Sequence, residues 1–497
     1  MKKIIPIFLA VLLFFSSCNK NTSDKNSTSD GKNESGGNAT ISSFSIPYSS
    51  TDSLNPYTAK SSLNIKIIPL LYDSLVLVNN DFHCQPLVAQ TIERPSPTEV
   101  RVTIKNGIFF SDGQPLTAAD VVFSFYALKN TNSHYSRSLA LFSRATAENE
   151  HTVLFTLSSL DRYAENNLTF PITSKLSGTA SPVGSGRYTL QVENGSYSLL
   201  PNRNHFSVTS FTLEKINCVS IPYNDSIFSA IKAGSIDMVP ADPSLGIFNG
   251  TYCKSETVNT SHLVFLGVSQ KGVLANAAFR KYLSAVLDRQ TVGSLLPHSS
   301  YTPSSLPLHP LKSDIKPLNL NQIQTNSFAE TLLPADSFTR SSDGSLISNN
   351  SKVSLTLLYC SDNSEKSTLA LKISELLTAS GIEVKLVGKT YNEYLSLIQA
   401  GAFDLYLGEI KLLESFNLST LLNYKSFSLS VSDNLRTVYN EFSKGTVAPE
   451  VFLSAFSEEL PFIPLMFKNT AVTYSKAVSS KISVSVTDSY LNLQNIG

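Results

Sequence analysis

The chain has 497 residues, with 39 Lys and Arg against 39 Asp and Glu, and therefore carries no formal net charge at pH 7. It lacks the surplus of positive charge that binds phosphate backbones or an anionic bilayer, which argues against a nucleic-acid partner. Apolar residues make up 42% of the chain and charged residues 16%, so two or three substantial hydrophobic cores can be buried.

The N-terminus is typical of an export signal. Two lysines precede an apolar run at residues 4–15, which is too short to span a bilayer as a mature helix. The Ser-Ser-Cys sequence that ends at Cys18 resembles a bacterial lipobox, although Phe15 stands where Leu is usual. Residues 1–18 are predicted to be a lipoprotein signal peptide, with lipidated Cys18 anchoring an extracytoplasmic protein to the bacterial cell membrane. The alternative is an ordinary secretory signal with an incidental cysteine.

Residues 19–40 are almost wholly Asn, Lys, Thr, Ser, Asp, Gly and Glu. Such a segment is too polar to bury a core, so it is predicted to be a disordered tether. As a flexible coil, it would hold the folded body roughly 25 Å from the anchored cysteine.

In chain order, residues 41–46 are predicted to form a strand and residues 63–75 an apolar helix. Apolar and polar residues alternate through 100–105, which is the period of a half-exposed strand. Thr117, with Asp120 three residues later, has the spacing of a capping box, and we expect a helix to begin there.

One local design occurs at residues 227–238 and again at residues 395–405. In each segment an amphipathic helix ends at a glycine, Gly234 or Gly401, and an apolar strand follows.

A third unit of this kind extends from 353 to 386, where strand, helix and strand predict a βαβ unit with parallel strands. One long helix is expected at 275–292. The chain is therefore predicted to be an α/β protein.

Apolar runs at 264–268 and 461–466 are interpreted as two crossings between lobes, which would form a hinge beside a cleft. The predicted division is lobe I at residues 41–263 plus 470–497, and lobe II at residues 264–469.

The cysteines beyond Cys18 show neither CxxC nor CxxH spacing, which indicates no zinc site and no disulfide framework. Cys218 and Cys253 are the first pair to consider for a bridge, although buried thiols are favoured. The seven histidines include no HExxH, and no GxSxG elbow is present, so the sequence predicts neither an enzyme nor a cofactor or metal site.

Residues 109–124 closely resemble the signature of family 5 extracellular solute-binding proteins, the peptide and nickel receptors of ABC importers. Further resemblance follows in family order and covers nearly everything after the tether, at 51–56, 182–188 with its PxGxGxY turn, 279–289, 355–386, 400–405 and 461–466. It implies a two-lobed periplasmic-binding-protein-like fold, of type II in the enlarged family 5 variety, with a hinge and an interlobe cleft. The signature residues themselves are expected to build the scaffold.

In the family's peptide receptors, the stretch after the strand ending at Leu407 usually reads Gly, Trp, two residues and an Asp that receives the peptide's amino terminus. Here Glu409 takes the place of the Trp and Leu412 that of the Asp, which argues against ordinary zwitterionic peptide binding. Glu409 or Glu414 could substitute as the partner of an ammonium group, a contact worth about 1.5 to 3 kcal/mol. Alternatively, Glu409 and Lys411 pair with each other or with lobe I charges on a solvated rim.

By the same resemblance, Ser50, Thr51 and Asn55 flank the cleft, while Tyr48 and Tyr391 are candidate aromatic walls unless they are simply packed. The predicted ligand-binding residues are Glu409, Lys411, Glu414, Ser50, Thr51, Asn55, Tyr48 and Tyr391.

The resemblance implies a monomeric substrate-binding lipoprotein that captures a peptide-like or other small polar solute in the interlobe cleft. It would deliver this cargo to the permease subunits of an ABC transporter in the membrane. Two alternatives stay open: a non-transport sensor or adhesin receptor of the same fold, and a metal-chelate (nickel-type) binding protein.

Replacing Cys18 with Ser removes the thiol that a lipid would modify. The variant should move to the soluble fraction while the parent protein sediments with membranes, as measured by fractionation and immunoblotting. Cys84→Ser is the matched control and should remain with the membranes. Persistent membrane association of the Cys18→Ser protein would contradict the lipid anchor.

Overall fold

A computed structural model describes most of the chain that follows the predicted tether. The described ranges are 43–221, 225–241, 253–296, 300–321, 329–423 and 427–496. All of the described ranges belong to one compact unit, Thr40–Gly497. The predicted signal peptide, Cys18 and the tether lie outside the described residues. Within those ranges, every helix is too short or too polar to cross a membrane.

The described residues form strands and helices of moderate length, apart from two long strands in the second half. The strands are β1 (Phe44–Tyr48), β2 (Val76–Val78), β3 (Cys84–Pro86), β4 (Ala89–Ser96), β5 (Glu99–Ile104), β6 (Phe142–Asn149), β7 (Thr152–Leu157), β8 (Tyr188–Glu193), β9 (Ser196–Pro201), β10 (Ile216–Ser220), β11 (Met238–Ala241), β12 (Cys253–Val268), β13 (Tyr301–Pro303), β14 (Thr339–Arg340), β15 (Leu346–Ser348), β16 (Ser351–Lys352), β17 (Ser354–Cys360), β18 (Glu383–Lys389), β19 (Leu405–Lys411) and β20 (Phe462–Ser475). The helices are α1 (Ser62–Leu71), α2 (Ala118–Lys129), α3 (Ser136–Leu139), α4 (Asp225–Lys232), α5 (Ala277–Val286), α6 (Arg289–Gly293), α7 (Ser364–Ala379), α8 (Tyr391–Gln399), α9 (Ser419–Leu422), α10 (Asp433–Lys444) and α11 (Pro449–Glu459).

An antiparallel sheet in the order β4-β5-β7-β6 packs against α2 in the first half of the chain. The apolar positions of β5 are buried and its polar positions are half-buried, which confirms the predicted alternation. Helix α2 begins where the capping box predicts, with the Thr117 backbone N–H donating to Asp120 Oδ2 at 3.0 Å. The signature at residues 109–124 thus forms a turn and the start of this helix. These residues build the fold, as the sequence analysis expected.

A second sheet in the order β1-β10-β9-β8 lies beside α1, and β1 pairs with β10 in parallel. The PxGxGxY turn leads into β8 and meets the end of α1, where the Gly186 N–H donates to the Leu71 carbonyl at 3.1 Å. A Cβ on Gly186 would lie 2.3 Å from the Leu71 carbonyl carbon. Glycine is therefore required here because two backbone segments approach too closely for any side chain.

The largest sheet has the order β11-β20-β12-β19-β17-β18, and β13 also pairs with β20. Strands β12 and β20 are antiparallel along nearly their whole length, from the pair Cys253 and Ser475 to the pair Gly267 and Phe462. Their register shifts between Asn259 and His262, so β12 is irregular near its middle. The apolar runs that the sequence suggested as crossings lie in these two strands.

The predicted helix–glycine–strand units are confirmed within the described residues. Gly234, Gly401 and Gly381 each follow a helix with a positive φ, and β11, β19 and β18 come next. Strands β17 and β18 are parallel and joined by α7, as the βαβ prediction requires. The aspartate before β19, Asp404, accepts from the Thr356 backbone N–H at 2.8 Å and so ties this strand to β17.

The prediction of one long helix over 275–292 is wrong. Helix α5 ends at Val286, Leu287 is extended, and α6 begins at Arg289. The Asp288 carboxylate accepts from the backbone N–H groups of Gln290 and Thr291 at 3.0 and 3.2 Å. An N-cap of this kind starts a new helix and breaks the old one. The apolar helix expected at 63–75 likewise stops at Leu71.

Apolar packing joins segments that the sequence assigned to different lobes. Phe82 packs edge-on against Phe416, with ring centroids 4.7 Å apart, and its ring lies 4.8 Å from that of His309. On the predicted boundaries, Phe82 is in lobe I and the other two are in lobe II. Buried side-chain contacts, in addition to strands β12 and β20, therefore connect the segments assigned to the two lobes.

Cys218 carries a free thiol, so it does not form the bridge with Cys253 that the sequence left open. Burial raises the pKa of Cys218 to about 12, which keeps the thiol protonated and unreactive.

Replacing Gly186 with Ala should lower the free energy of unfolding by about 3 kcal/mol, because the new methyl group overlaps backbone atoms that cannot rotate away. Chemical denaturation measures the loss. Gly107→Ala is a matched control, since its Cβ would meet nothing within 4 Å and the change should cost only about 1 kcal/mol for its left-handed backbone. Equal losses in the two variants would show that the close approach at Gly186 does not constrain the fold.

Candidate functional site

A cavity of about 560 Å³ lies between segments distant in sequence. One wall comprises α1 with Lys60 before it, residues 134–138, and residues 486–487. A second wall is formed by residues 411–414, which begin with the last residue of β19. On the predicted boundaries, the first wall belongs to lobe I and the second to lobe II. We call this cavity the charged cleft, because its ionisable lining residues are Lys60, Lys66, His134, Arg137, Lys411 and Glu414.

The charged cleft is predominantly positive. Lysine and arginine contribute four cations to its lining and Glu414 one carboxylate. Burial, aided by the charges of Lys411 and Lys66, lowers the pKa of His134 to about 4, so this histidine is neutral at physiological pH. The net charge of the lining is therefore positive by three.

Two of the cations are already tied to backbone carbonyls. Lys60 Nζ donates to the Asn132 carbonyl, and Arg137 Nη2 donates to the Lys411 carbonyl at 2.6 Å. The ammonium groups of Lys66 and Lys411 differ, since neither donates a hydrogen bond to any residue that the structure describes. Burial and the charge of Lys411 lower the pKa of Lys66.

Glu414 is the one carboxylate of the lining. Its Oε2 atom is buried and accepts no hydrogen bond from the described residues. Burial raises the pKa of Glu414, against the opposing effects of Lys411, Lys66, the Ser261 hydroxyl and Arg137. A buried acceptor without a donor is costly, so this oxygen is available to a ligand donor.

The wall at 411–414 is held in place through its backbone. The Leu412 N–H donates to the Ser261 carbonyl at 3.0 Å, and Ser261 Oγ donates back to the Leu412 carbonyl at 3.0 Å. Asn166 Nδ2 donates to the Glu414 carbonyl at 3.1 Å. Glu414 therefore lies in a segment fixed through its backbone, directly after Lys411 at the end of β19.

Next to this wall, the buried carboxylate of Asp161 joins two distant segments. Its Oδ2 accepts from Ser415 Oγ at 2.7 Å and from Asn417 Nδ2 at 3.0 Å. Burial raises the pKa of Asp161 to about 6. On the predicted boundaries, this contact connects lobe I with lobe II.

Glu409 lies in β19 outside the lining of the charged cleft. Its carboxylate accepts from Lys366 Nζ, and Lys468 Nζ lies 3.4 Å from both of its oxygens. Lys468 also lies 2.8 Å from Glu365. We call these four residues, Glu365, Lys366, Glu409 and Lys468, the Glu409 cluster.

The Glu409 cluster neutralises itself, with two carboxylates and two lysines. Burial acts to raise the pKa of Glu409, but the charges of Lys366 and Lys468 outweigh it and hold the pKa below its ordinary value. Burial lowers the pKa of Lys366 despite Glu409. The sequence left open that Glu409 pairs with Lys411 or with lobe I charges. Its lysine partners are in α7 and β20, and His262, on the predicted lobe I side, lies 3.8 Å from its Oε1. The role of Glu409 as a receptor for an ammonium group stays a prediction.

The structure places the other predicted site residues away from the charged cleft. Asn55 Nδ2 donates to the Thr179 carbonyl at 2.8 Å, and its Oδ1 accepts from the Tyr57 N–H. Ser50 bonds to Ser220, and Thr51 to Ser49. These contacts are those of loop-forming residues.

The two tyrosines proposed as aromatic walls also lie elsewhere. Tyr48 is buried and stacks on Tyr197, with ring centroids 5.2 Å apart. Tyr391 begins α8 and is 57% exposed. The structure thus brings together only Lys411 and Glu414 of the predicted set.

Lys60, Lys66 and Arg137 were missed by the sequence analysis. One signal was available, because Lys66 is the only charged residue between Lys60 and Asp73 and interrupts an apolar helix. Arg137 gives no such signal, since it lies in a short polar segment.

Within the described ranges, His, Cys, Asp and Glu side chains form no group of three that could hold a metal ion.

The model for the bacterial extracellular solute-binding proteins, family 5 middle, matches residues 83–412. The chain belongs to this family. It is an extracellular solute-binding protein and not an enzyme, and the family, the two-lobed fold class and the solute-binding role predicted from the sequence are confirmed.

Relatives of this solute-binding protein are remote in sequence and near in fold. The oligopeptide-binding protein AppA of Bacillus subtilis is 23% identical over 411 residues, which are 77% of this chain and 75% of AppA. The unliganded open form of the periplasmic murein tripeptide binding protein MppA superposes with a TM-score of 0.72 and 19% identity, over 88% of this chain and 93% of MppA. A nickel ABC transporter structure from Bacillus halodurans gives a TM-score of 0.72 and 15% identity, over 90% of this chain and 97% of that one.

Replacing Glu409 with Gln should lower the free energy of unfolding by about 2 to 4 kcal/mol, because it leaves the buried Lys366 without its counter-charge. The ion pair stabilises the folded protein fully above the ordinary carboxyl pKa. This stabilisation is lost as the pH falls through the lowered pKa of Glu409. The difference between variant and parent should therefore shrink in acid. Urea denaturation at neutral and acidic pH measures both effects.

The matched control is Glu375→Gln, which removes an exposed partner of Lys372 and should cost less than about 0.5 kcal/mol. If Glu409→Gln proves as mild as this control, the Glu409 cluster does not hold the sheet to α7.

Proposed function

We propose that this protein captures a peptide-like or other small polar solute in the charged cleft and delivers it to the permease of an ABC transporter. The observation that carries the proposal is the composition of the cleft walls. Segments assigned to lobe I supply one wall, and residues 411–414, at the end of β19 and assigned to lobe II, supply the other. A solute held there contacts both.

A solute that contacts both walls can favour the closed form of the protein, which the permease could then recognise. A ligand shifts an equilibrium between open and closed forms only by its difference in affinity for them. A solute that touched one wall alone would bind without favouring closure. Closure would also exclude water and strengthen the hydrogen bonds to the solute.

The size of the cleft fits a small cargo. Its volume of about 560 Å³ falls in the range of pockets that enclose small molecules, roughly 300 to 1,000 Å³. AppA and MppA are named for an oligopeptide and a murein peptide, which supports a peptide-like cargo. The charged cleft has no group of metal ligands among the described residues, which gives a nickel-type cargo less support.

Export and anchoring complete the proposal. The signal sequence and Cys18 would place the mature protein outside the membrane on a lipid anchor, and residues 19–40 would tether it as a monomer near the permease. A deletion strain that imports the identified cargo normally would favour the sensor or adhesin alternative.

Replacing Ser62, an exposed residue of the cleft lining, with Trp should weaken binding of the natural cargo at least tenfold, because the indole fills the space that the cargo needs. The cargo is first identified by native mass spectrometry of protein from its source, and affinity is then measured by calorimetry. Small-angle scattering should show the parent protein contracting as cargo is added.

The matched control is Ser396→Trp, on the exposed side of α8, which should bind cargo like the parent. Unchanged affinity in Ser62→Trp would move the binding site away from the charged cleft.

A further inference from the structure

We infer that the charged cleft selects acidic, amine-bearing peptides, whose carboxylates outnumber their ammonium groups. Lys66 and Lys411 would each receive a carboxylate, and Glu414 would receive the amino group. This rests on the proposed function, because it names the cargo class of the same cleft.

The first step is that the neighbouring carboxylates are already occupied. Asp488 acts on Lys66 electrostatically, but its Oδ2 is paired with Arg187 Nη2 at 2.6 Å. Glu409, on the same strand as Lys411, is paired with Lys366 and Lys468. Neither carboxylate is left to neutralise Lys66 or Lys411, and the single charge of Glu414, which acts on both lysines, cannot balance the two.

The second step concerns the donors. Of the four cations in the lining, Lys60 and Arg137 donate to backbone carbonyls. Lys66 and Lys411 keep their donors unused among the described residues, and Lys66 is half-buried on α1. Lys411 is exposed and only Lys66 is partly desolvated, but like charges that face one cavity still disfavour each other. An anion placed between them relieves that repulsion and supplies the missing acceptors.

The third step concerns the acceptor. Glu414 Oε2 is buried without a donor and lies in the wall that also carries Lys411. An ammonium group is the ligand group that satisfies it, through a charge-assisted hydrogen bond. The lining therefore presents one site for an amine and two for carboxylates.

The expected selectivity follows from the signs of these charges. Acidic peptides match the lining, neutral peptides leave at least one lysine unmatched, and basic peptides add like-charge repulsion. A dicarboxylate without an amine would use the lysines but leave Glu414 unmatched.

Three tripeptides of similar size, Ala-Glu-Glu, Ala-Gln-Gln and Ala-Lys-Lys, test the inference by calorimetry on the mature protein at low salt. Ala-Glu-Glu should bind at least tenfold more tightly than Ala-Gln-Gln, since its side-chain carboxylates add charge-assisted contacts that the amides do not make. Ala-Lys-Lys should bind more weakly than either. N-acetylated Ala-Glu-Glu and glutarate identify the part played by the amine, and both should bind more weakly than Ala-Glu-Glu.

Variants assign the contacts to residues. Lys66→Gln and Lys411→Gln should each reduce the preference for Ala-Glu-Glu over Ala-Gln-Gln by about tenfold. Glu414→Gln should reduce the preference for the free over the acetylated amine. Lys385→Gln, an exposed change on β18, is the matched control and should alter neither ratio. Thermal unfolding of each variant verifies that it is folded.

The outcomes separate this inference from the proposed function. If Ala-Gln-Gln binds as tightly as Ala-Glu-Glu and closes the protein equally well, the acidic selectivity is wrong while capture in the cleft stands. If Ser62→Trp leaves natural cargo bound, the proposed site fails. Glutarate binding as tightly as Ala-Glu-Glu would overturn the role of Glu414.

Discussion

The architecture depends on one antiparallel pair, β12 with β20. Each strand is long enough to belong to the packing of both halves: Val258 and Val472 pack with the core around β1, whereas Val264 and Ile463 pack with the core around α7. The irregular stretch of β12 contains Ser261, which forms two hydrogen bonds with the backbone of Leu412 in the wall of the charged cleft. Any change of bend in this pair therefore acts directly on the position of that wall.

Charge is distributed unevenly around this frame. The Glu409 cluster neutralises itself, and its ion pairs connect α7 with β19 and β20. The charged cleft is not balanced in this way, because its cations exceed its carboxylate and two of them keep free donors among the described residues. Charges that are not needed to stabilise the protein are the ones that a solute can use.

Much of the fold was predictable because its signals are local. The alternation in β5, the capping box of α2 and the glycines after α4, α7 and α8 each involve residues close in sequence. The cleft could not be derived in this way. The partners of Glu409 are 43 and 59 residues away, and Lys66 and Lys411 face one cavity only after the chain has folded. Even the error at 275–292 was local, since the helix expected there is interrupted by the N-cap at Asp288.

The pairing of β20 with the middle of the chain has a consequence for the order of folding during export. The core around β1 includes Phe44 and Ile46 from one end and Tyr490, Leu493 and Ile496 from the other. That core cannot close until the last segment has been translocated, whereas the βαβ unit at 353–389 can form earlier from contacts close in sequence. A chain halted before β20 would leave the core around β1 incomplete and open to proteases and chaperones.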